Sequence, residues 1–325
     1  MTDRTHLRLA TRGSPLALWQ AQRVAGLLED TGTPSTLVVV ETIGDRRTDL
    51  PLEELGGQGI FVKEVQAAVV RGEADAAVHS AKDLPSSAEL SVPDLVLAAL
   101  PERGDPRDVL VGGGLDSLPT GSVVATGSAR RRVQLANLRP DLTFTGLRGN
   151  LATRLATVGV GDVAAVVVAK AAIDRLDWSP PEGLVIEVLA PELMLPQVGQ
   201  GALAIECRTD DAVTRAALAS IHDARVGPPV TAERAFLAEL GGGCTLPVGA
   251  HAEWTGPGSS DLRLTGMMAS GDGVVVVRHT AEGPGADLLG RSMARYLLDE
   301  AGGRDLGEWL PSSGAAGGSG ATVSW

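Results

Sequence analysis

The chain has 325 residues, of which 44% are apolar and 21% charged, and this is the composition of a soluble globular protein with two or three domains. Its formal net charge of −12 and its low aromatic content of 3% argue against a nucleic-acid binder. No apolar run approaches the roughly 18 residues that span a bilayer, and the charged N-terminus lacks a secretory signal pattern. Two cysteines provide no disulfide framework, so we expect a cytoplasmic protein without membrane or nucleic-acid partners.

The first 220 residues alternate β-rich runs with amphipathic helical patterns, which is typical of α/β units. Ser14 and Pro15 stand where an N-cap and the first residue of a helix belong. The polar, glycine-rich segment 44–58 is predicted to be a long loop. Strands are predicted at 7–11, 37–42, 76–79, 109–111, 122–126, 143–145, 164–169 and 199–208, and helices after Ser14, over about 59–71, and after Gly127, Asn150 and Ala169.

The pattern changes beyond about residue 228. Apolar residues recur at helical spacing from Ala232 and again from Leu289, and residues 262–280 indicate a hairpin that turns at 271–273. We therefore predict an α/β protein of three domains, the third being a small α+β domain. The predicted domains are residues 1–100 with 200–225, residues 101–199 and residues 226–311, followed by a flexible tail at 312–325.

Residues 130–154 concentrate positive charge in an otherwise acidic chain, with six arginines against a single acid, Asp141. Arg130 and Arg131 come soon after a predicted strand, and Arg154 lies one turn into a predicted helix. Helix N-termini attract anions, and guanidinium groups added there favour a carboxylate or phosphate site. A solvated basic face is the alternative interpretation.

Lys82 and Asp83 stand just beyond the end of a predicted buried strand. Such a neighbouring pair is either a surface ion pair of little energetic value or an anion contact beside a general acid–base group. The residue pattern leaves both interpretations open.

The two cysteines differ in their surroundings. Cys207 lies within a predicted strand, which indicates a buried structural thiol. Cys244 follows three glycines, which leave its sulfur accessible, so it is either a reactive or derivatised thiol or a loop cysteine without a role. Neither cysteine has partners at metal-ligand spacing, so no metal site is expected.

Six segments of the chain form a recognisable series, at residues 9–20, 59–64, 79–85, 147–150, 195–201 and 242–244. In content and order they resemble the porphobilinogen deaminase (hydroxymethylbilane synthase) family across about residues 7–250. The resemblance implies three α/β domains, the first two similar to periplasmic binding proteins with mixed sheets and an active cleft between them. It also implies a transferase with a covalent dipyrromethane cofactor, which deaminates and couples four porphobilinogen units and releases hydroxymethylbilane for haem and other tetrapyrroles.

The resemblance assigns roles to individual residues. Asp83 matches the catalytic aspartate, which would stabilise cationic pyrrole species and transfer their protons. Cys244 matches the cysteine that holds the dipyrromethane through a thioether. The other cofactor contacts would be Ser14, Lys82, Asp83, Ser128, Arg130, Arg131 and Gln200. Substrate carboxylates would be held by Arg12, Gln20, Arg148 and Arg154, while Phe61 and Lys63 would border the cleft.

Two positions depart from the family pattern. Gly13 stands where a long polar side chain is common, and Gly127 removes one expected hydroxyl contact. A non-enzymatic anion-binding module on the same scaffold is the alternative function, although it does not explain an accessible cysteine or a Lys–Asp pair at a strand end. We expect a monomer, because the chain has no heptad pattern or long exposed apolar stripe.

Overall fold

The computed structural model describes residues 6–41, 62–87, 91–241 and 246–307. The predicted loop at 44–58, Phe61, Cys244 and the predicted tail at 312–325 lie outside the described residues. Within the described ranges, no helix has the length and apolar character needed to cross a bilayer.

The first sheet combines four strands from the N-terminal part of the chain with one strand from beyond residue 200. Its elements are β1 (Leu7–Arg12), α1 (Pro15–Asp30), β2 (Ser35–Val40), α2 (Lys63–Val70), β3 (Ala76–Ser80), β4 (Leu95–Ala99), β10 (Leu203–Arg208) and α6 (Ala212–Ala219). The strand order is β2-β1-β3-β10-β4, and β10 lies antiparallel between β3 and β4. The chain therefore returns to the first sheet after completing the second.

The second sheet is also mixed and has five strands. Its elements are β5 (Asp108–Val111), β6 (Val123–Ala125), α3 (Ala129–Leu138), β7 (Thr143–Thr145), α4 (Leu151–Leu155), β8 (Val163–Ala169), α5 (Lys170–Arg175) and β9 (Ile186–Leu189). The order is β7-β6-β8-β5-β9, with β6 parallel to β7 and β8. Because β6 and β7 are parallel neighbours, the helices that follow them, α3 and α4, begin at the same edge of the sheet.

The third sheet is smaller and antiparallel. Its elements are α7 (Gly227–Glu239), β11 (Val248–Trp254), β12 (Leu262–Ala269), β13 (Val276–Gly283) and α8 (Ala286–Arg295). The strands follow one another in the order β11-β12-β13, and residues of α7 and α8, such as Phe236 and Met293, form an apolar core with them. The predicted hairpin at 262–280 is confirmed as β12 and β13.

The predicted fold class is confirmed, whereas several element predictions need correction. The strand predicted at 199–208 is wrong over its first four residues, because Gly199 and Gly201 have φ values of +72° and +86°, which form a turn rather than extended backbone. Elements β4, β9, β11 and α6 were not predicted. Only Thr214 and Leu218 of α6 are buried, so this short helix turns a narrow stripe toward the core.

The third domain contacts both connections between the first two sheets. Arg103 lies on the outward connection and Gly199 on the return. The Nη1 of Arg103 is 2.8 Å from Oε1 of Glu233 on α7, and the Gly199 amide donates to Oε2 of the same carboxylate at 2.8 Å. The hairpin reaches the second sheet, since Arg132 on α3 donates to the Gly271 carbonyl at 2.7 Å. The third domain thus contacts both connections and the second sheet.

Candidate active site

The turn after β3 presents Lys82 and Asp83. Residues Ala81–Asp83 form one turn of 3₁₀ helix, and the Ala81 amide donates to the Ala202 carbonyl at 2.9 Å. Ala81 and Leu84 are buried on either side, whereas Lys82 is half-buried and Asp83 exposed. The turn is therefore anchored through its apolar residues, and its two charged side chains are free to face the second sheet.

Near this turn, the arginines at the N-terminus of α3 pair with the buried carboxylate of Asp108. Ser128 caps the helix, accepting from the Arg131 amide at 3.4 Å. The guanidinium groups of Arg130 and Arg131 each approach one oxygen of Asp108 at 2.7 Å. Burial alone would raise the pKa of Asp108, but the two guanidinium groups outweigh it and hold the pKa well below its usual range.

Gln200 links the two halves of the site. Its Nε2 donates to Oδ1 of Asp108 at 2.9 Å and to the Pro106 carbonyl at 2.7 Å, and its Oε1 accepts from Nζ of Lys82 at 3.3 Å. The structure thus brings four predicted cofactor contacts into one network, which consists of Lys82, Gln200, Arg130 and Arg131 around Asp108.

The positive groups of the site lie within range of one another. The pKa of Lys82 is lowered to about 8, chiefly by burial and further by the charges of Arg131 and Arg154. The negative charge of Asp83 opposes this shift. Burial likewise lowers the pKa of Arg154, with further lowering by Arg131 and Arg148 and an opposing effect of Asp83. Asp83 of the first sheet therefore lies in the electrostatic field of the arginines of the second.

The loop between β7 and α4 places two of the predicted substrate contacts. Asn150 caps α4, accepting from the Thr153 amide at 3.0 Å, and Nε of Arg154 donates to the Gly149 carbonyl at 2.8 Å. A Cβ added to Gly127 would lie 2.7 Å from the Leu147 carbonyl. Glycine at that position therefore lets the loop bearing Arg148 approach the start of α3.

The remaining predicted site residues are more dispersed. Arg12 ends β1, and Ser14 caps α1, accepting from the Ala17 amide at 3.4 Å. Gln20 lies on the buried face of α1, whereas Lys63 is exposed at the start of α2. A Cβ added to Gly13 would find its nearest neighbour, Val39 Cγ1, at an ordinary 3.5 Å, so no steric need for glycine is visible there.

Two polar residues of this region were not predicted. Asp108 opens a strand in which all four residues are buried, and its partners are set by tertiary packing. Arg175 on α5 donates to the Gly201 carbonyl at 2.6 Å and lies 5.4 Å from the ring centroid of Trp19 on α1. An acidic residue directly before an apolar run was the sequence signal that could have identified Asp108. The sequence contains no comparable signal for Arg175.

The residues present suit a ligand with several carboxylates. Nε of Arg130 is buried and, among the described residues, has no hydrogen-bond partner, so one donor of this guanidinium remains for an outside acceptor. Arg131 and Arg154 disfavour the charge of Lys82, Arg131 and Arg148 disfavour that of Arg154, and a bound polyanion would relieve this repulsion. Fold and site together define a multidomain α/β protein with a cluster of positively charged side chains between its first two sheets.

Comparison with known proteins gives the family. The family model described as "Porphobilinogen deaminase, dipyromethane cofactor binding domain" matches residues 7–216, and "Porphobilinogen deaminase, C-terminal domain" matches residues 229–299. A porphobilinogen deaminase of Nitratidesulfovibrio vulgaris (strain DP4) is 44% identical over 321 residues, or 96% of this chain and 98% of the relative. One of Syntrophus aciditrophicus (strain SB) is 45% identical over 312 residues, or 94% and 98%.

Solved structures show a weaker likeness. The methionine binding protein MetQ has a TM-score of 0.42 at 15% identity, over 67% of this chain and 90% of that chain. The GluR0 ligand binding core in complex with L-glutamate has a TM-score of 0.39 at 12% identity, over 66% and 90%.

The chain belongs to the porphobilinogen deaminase family. It is a transferase that uses a dipyrromethane cofactor, deaminates and condenses four porphobilinogen units, and releases hydroxymethylbilane for tetrapyrrole synthesis. The resemblance stated from the sequence is confirmed, and the alternative of a non-enzymatic binding module is wrong.

Proposed function

We propose that Asp83 is the catalytic residue of this transferase. The observation that carries the proposal is the exposed position of Asp83 on an anchored turn, in the electrostatic field of Arg154 and Lys82. An ionised carboxylate there can hold the pyrrole N–H of porphobilinogen and offset the positive charge that develops as ammonia leaves. Its Oδ atoms can then accept the proton that carbon–carbon coupling releases.

The cofactor is assigned to the network around Asp108. Lys82, Arg131 and Gln200 would hold its carboxylates, with Ser14 and Ser128 supplying hydroxyl groups and Arg130 its buried Nε. When bound, dipyrromethane supplies the nucleophilic pyrrole carbon on which the product chain grows. We assign its thioether to Cys244, which comes in the sequence soon after the end of α7 at Glu239.

The substrate side is assigned to the arginines that the cofactor network does not use. Arg148 precedes α4 and Arg154 lies within it, and Arg12 is the last residue of β1. Guanidinium groups match the two oxygens of a carboxylate, which suits acetate and propionate side chains. Gln20 would hold substrate carboxylates together with these arginines, and Phe61 and Lys63 would form the border of the cleft.

We also propose a cytoplasmic monomer with the domain limits predicted from the sequence, namely 1–100 with 200–225, 101–199 and 226–311. Two cysteines in 325 residues suit a reducing compartment. The return of β10 to the first sheet supports a discontinuous first domain. Light scattering of the purified protein tests the monomer, and a mass of two chains would contradict it.

Paired variants of Asp83 test the catalytic assignment. Asp83→Asn keeps the size of the side chain but removes its charge, so we expect kcat to fall on the order of 10²–10⁴-fold. Asp83→Glu keeps the charge and moves it by one methylene, so it should retain more activity than Asp83→Asn. Turnover is measured with folding checked by circular dichroism. A folded Asp83→Asn protein within a few-fold of the wild-type rate would remove Asp83 from catalysis.

A further inference from the structure

Arg234 on α7 reaches the turn that carries Asp83. Its Nη2 donates to the Pro85 carbonyl at 2.7 Å, and its Nη1 approaches the Leu84 carbonyl at 3.5 Å. These are the first two carbonyls after the Ala81–Asp83 turn. The guanidinium of Arg234, from the third domain, therefore hydrogen-bonds to the backbone directly after Asp83, the proposed catalytic residue.

The surroundings of Arg234 show that this contact is not a solvated surface pair. Burial lowers the pKa of Arg234, and Glu206 is the carboxylate that opposes this shift. Glu206 itself accepts from Nε2 of Gln66 at 2.8 Å and lies 3.3 Å from Nε2 of His79. The guanidinium thus belongs to a partly buried polar layer beside the turn, where an arginine is costly unless its hydrogen bonds are satisfied.

Apolar packing fixes the same turn to the same helix. Ala81 and Leu84 lie in one buried cluster with Val230, which is four residues before Arg234 on α7. The residues on both sides of the charged pair are therefore held by one face of α7, by apolar contact and by hydrogen bonds. Asp83 alone of the turn is exposed.

We propose that Arg234 is a positioning residue that sets the place of the Asp83 carboxylate relative to the third domain. It acts through the Leu84 and Pro85 carbonyls and does not itself touch the substrate. The proposal rests on the catalytic role proposed for Asp83. Because α7 also leads in sequence to Cys244, a single helix would relate the catalytic carboxylate to the segment bearing the cofactor.

The first test compares Arg234→Met with the matched variant Arg208→Met. Arg208 likewise donates to two backbone carbonyls, Val69 at 2.9 Å and Ala74 at 3.5 Å, but these do not adjoin the Asp83 turn. A displacement of about 1 Å costs on the order of 10²-fold in rate, so we expect Arg234→Met to lower kcat by roughly that factor with little change in KM. Arg208→Met should keep kcat within roughly threefold of wild type.

The second readout is the rate of amide hydrogen exchange. A general loss of stability would raise this rate throughout the first domain, whereas a local effect would raise it only near the turn. In Arg234→Met we expect faster exchange confined to residues 81–84, with unchanged protection in α1 and β10. Uniformly faster exchange, or unchanged exchange in the turn, would overturn the proposal. If Arg234→Met does not fold, Arg234→Gln replaces it, because glutamine also removes the charge and the two-pronged donor.

A double-mutant cycle then asks whether Arg234 acts through Asp83. In the Asp83→Glu background the carboxylate is already displaced, so the added loss from Arg234→Met should be clearly smaller than in wild type. Equal losses in both backgrounds, or a folded Arg234→Met or Arg234→Gln enzyme within roughly threefold of the wild-type kcat, would overturn the proposal. Failure of the catalytic proposal itself is seen separately, as a near-normal Asp83→Asn enzyme.

Discussion

Lys82 offers a direct measurement of the electrostatics of the site, because the chain contains only three lysines, Lys63, Lys82 and Lys170. Burial, with nearby arginines in addition, lowers the pKa of Lys82 to about 8. Its positive charge is therefore present below about pH 8 and is lost as the pH rises through that value. A bound carboxylate would favour the charged form and raise this pKa.

We therefore predict that Lys82 titrates at higher pH in the cofactor-loaded protein than in Cys244→Ser. The lysines are labelled by reductive methylation with ¹³C, and the methyl signal missing from Lys82→Arg is followed by NMR against pH. In Cys244→Ser, with folding confirmed by circular dichroism, the midpoint should lie near 8. Equal midpoints in the two proteins would place the cofactor carboxylates away from Lys82.

The two thiols are expected to differ in chemistry. Cys207 is 0% exposed on β10, and burial raises its pKa to about 11, so its thiolate is scarce at neutral pH. We predict that the covalent pyrrole material of the purified enzyme is found on the peptide containing Cys244. Peptide mapping by mass spectrometry checks this, with the Cys207 peptide as the internal control. An unmodified Cys244 peptide from active enzyme would refute the assignment.

At the level of elements, the arginines at the edge formed by β6, β7 and their following helices should act on the ligand more than on the fold. Arg148→Leu and Arg154→Leu each remove a charge-assisted contact typically worth about 1.5–3 kcal/mol. We predict that kcat/KM for porphobilinogen falls by roughly 10- to 150-fold, while the melting temperature changes little. Arg71→Leu, which removes an exposed arginine paired with Glu73, is the matched control. Normal turnover by both variants at low porphobilinogen would show that these arginines form a solvated basic face that does not bind the substrate.

Local sequence patterns predict where the helices of the site begin, but they do not predict the long-range contacts that hold the site together. Ser14, Ser128 and Asn150 are each followed within three residues by the amide they cap, so short-range pattern was sufficient. Asp108 and Gln200, in contrast, are separated by 92 residues, and Arg103 and Glu233 by 130. Such pairs depend on how the domains pack against one another, and the local residue pattern does not predict them.

Across the whole molecule, Glu233 is the carboxylate through which the third domain binds both connections between the first two sheets. The side chain is 0% exposed and is bound by both outer nitrogens of Arg103, by the amide of Gly199 and by that of Ala252. Burial alone would raise its pKa, but Arg103, followed by His251, outweighs burial and lowers it from 4.5 to about 2. Because the folded pKa is depressed, the ionised carboxylate contributes fully to stability above about pH 4.5, and this contribution is lost as the pH falls toward 2.

Glu233→Gln should therefore destabilise the protein strongly at neutral pH and alter its response to acid. The substitution leaves the guanidinium of Arg103 buried without its counter-charge, which typically costs about 3–5 kcal/mol. Its free energy of unfolding should then fall less steeply than that of wild type between about pH 4.5 and 2, since one group with a depressed pKa is gone. Denaturant unfolding across this range measures both effects, with Glu73→Gln at an exposed pair as the control. Parallel stability curves for Glu233→Gln and wild type would show that the pKa of Glu233 is not lowered in the folded protein, which would contradict the prediction.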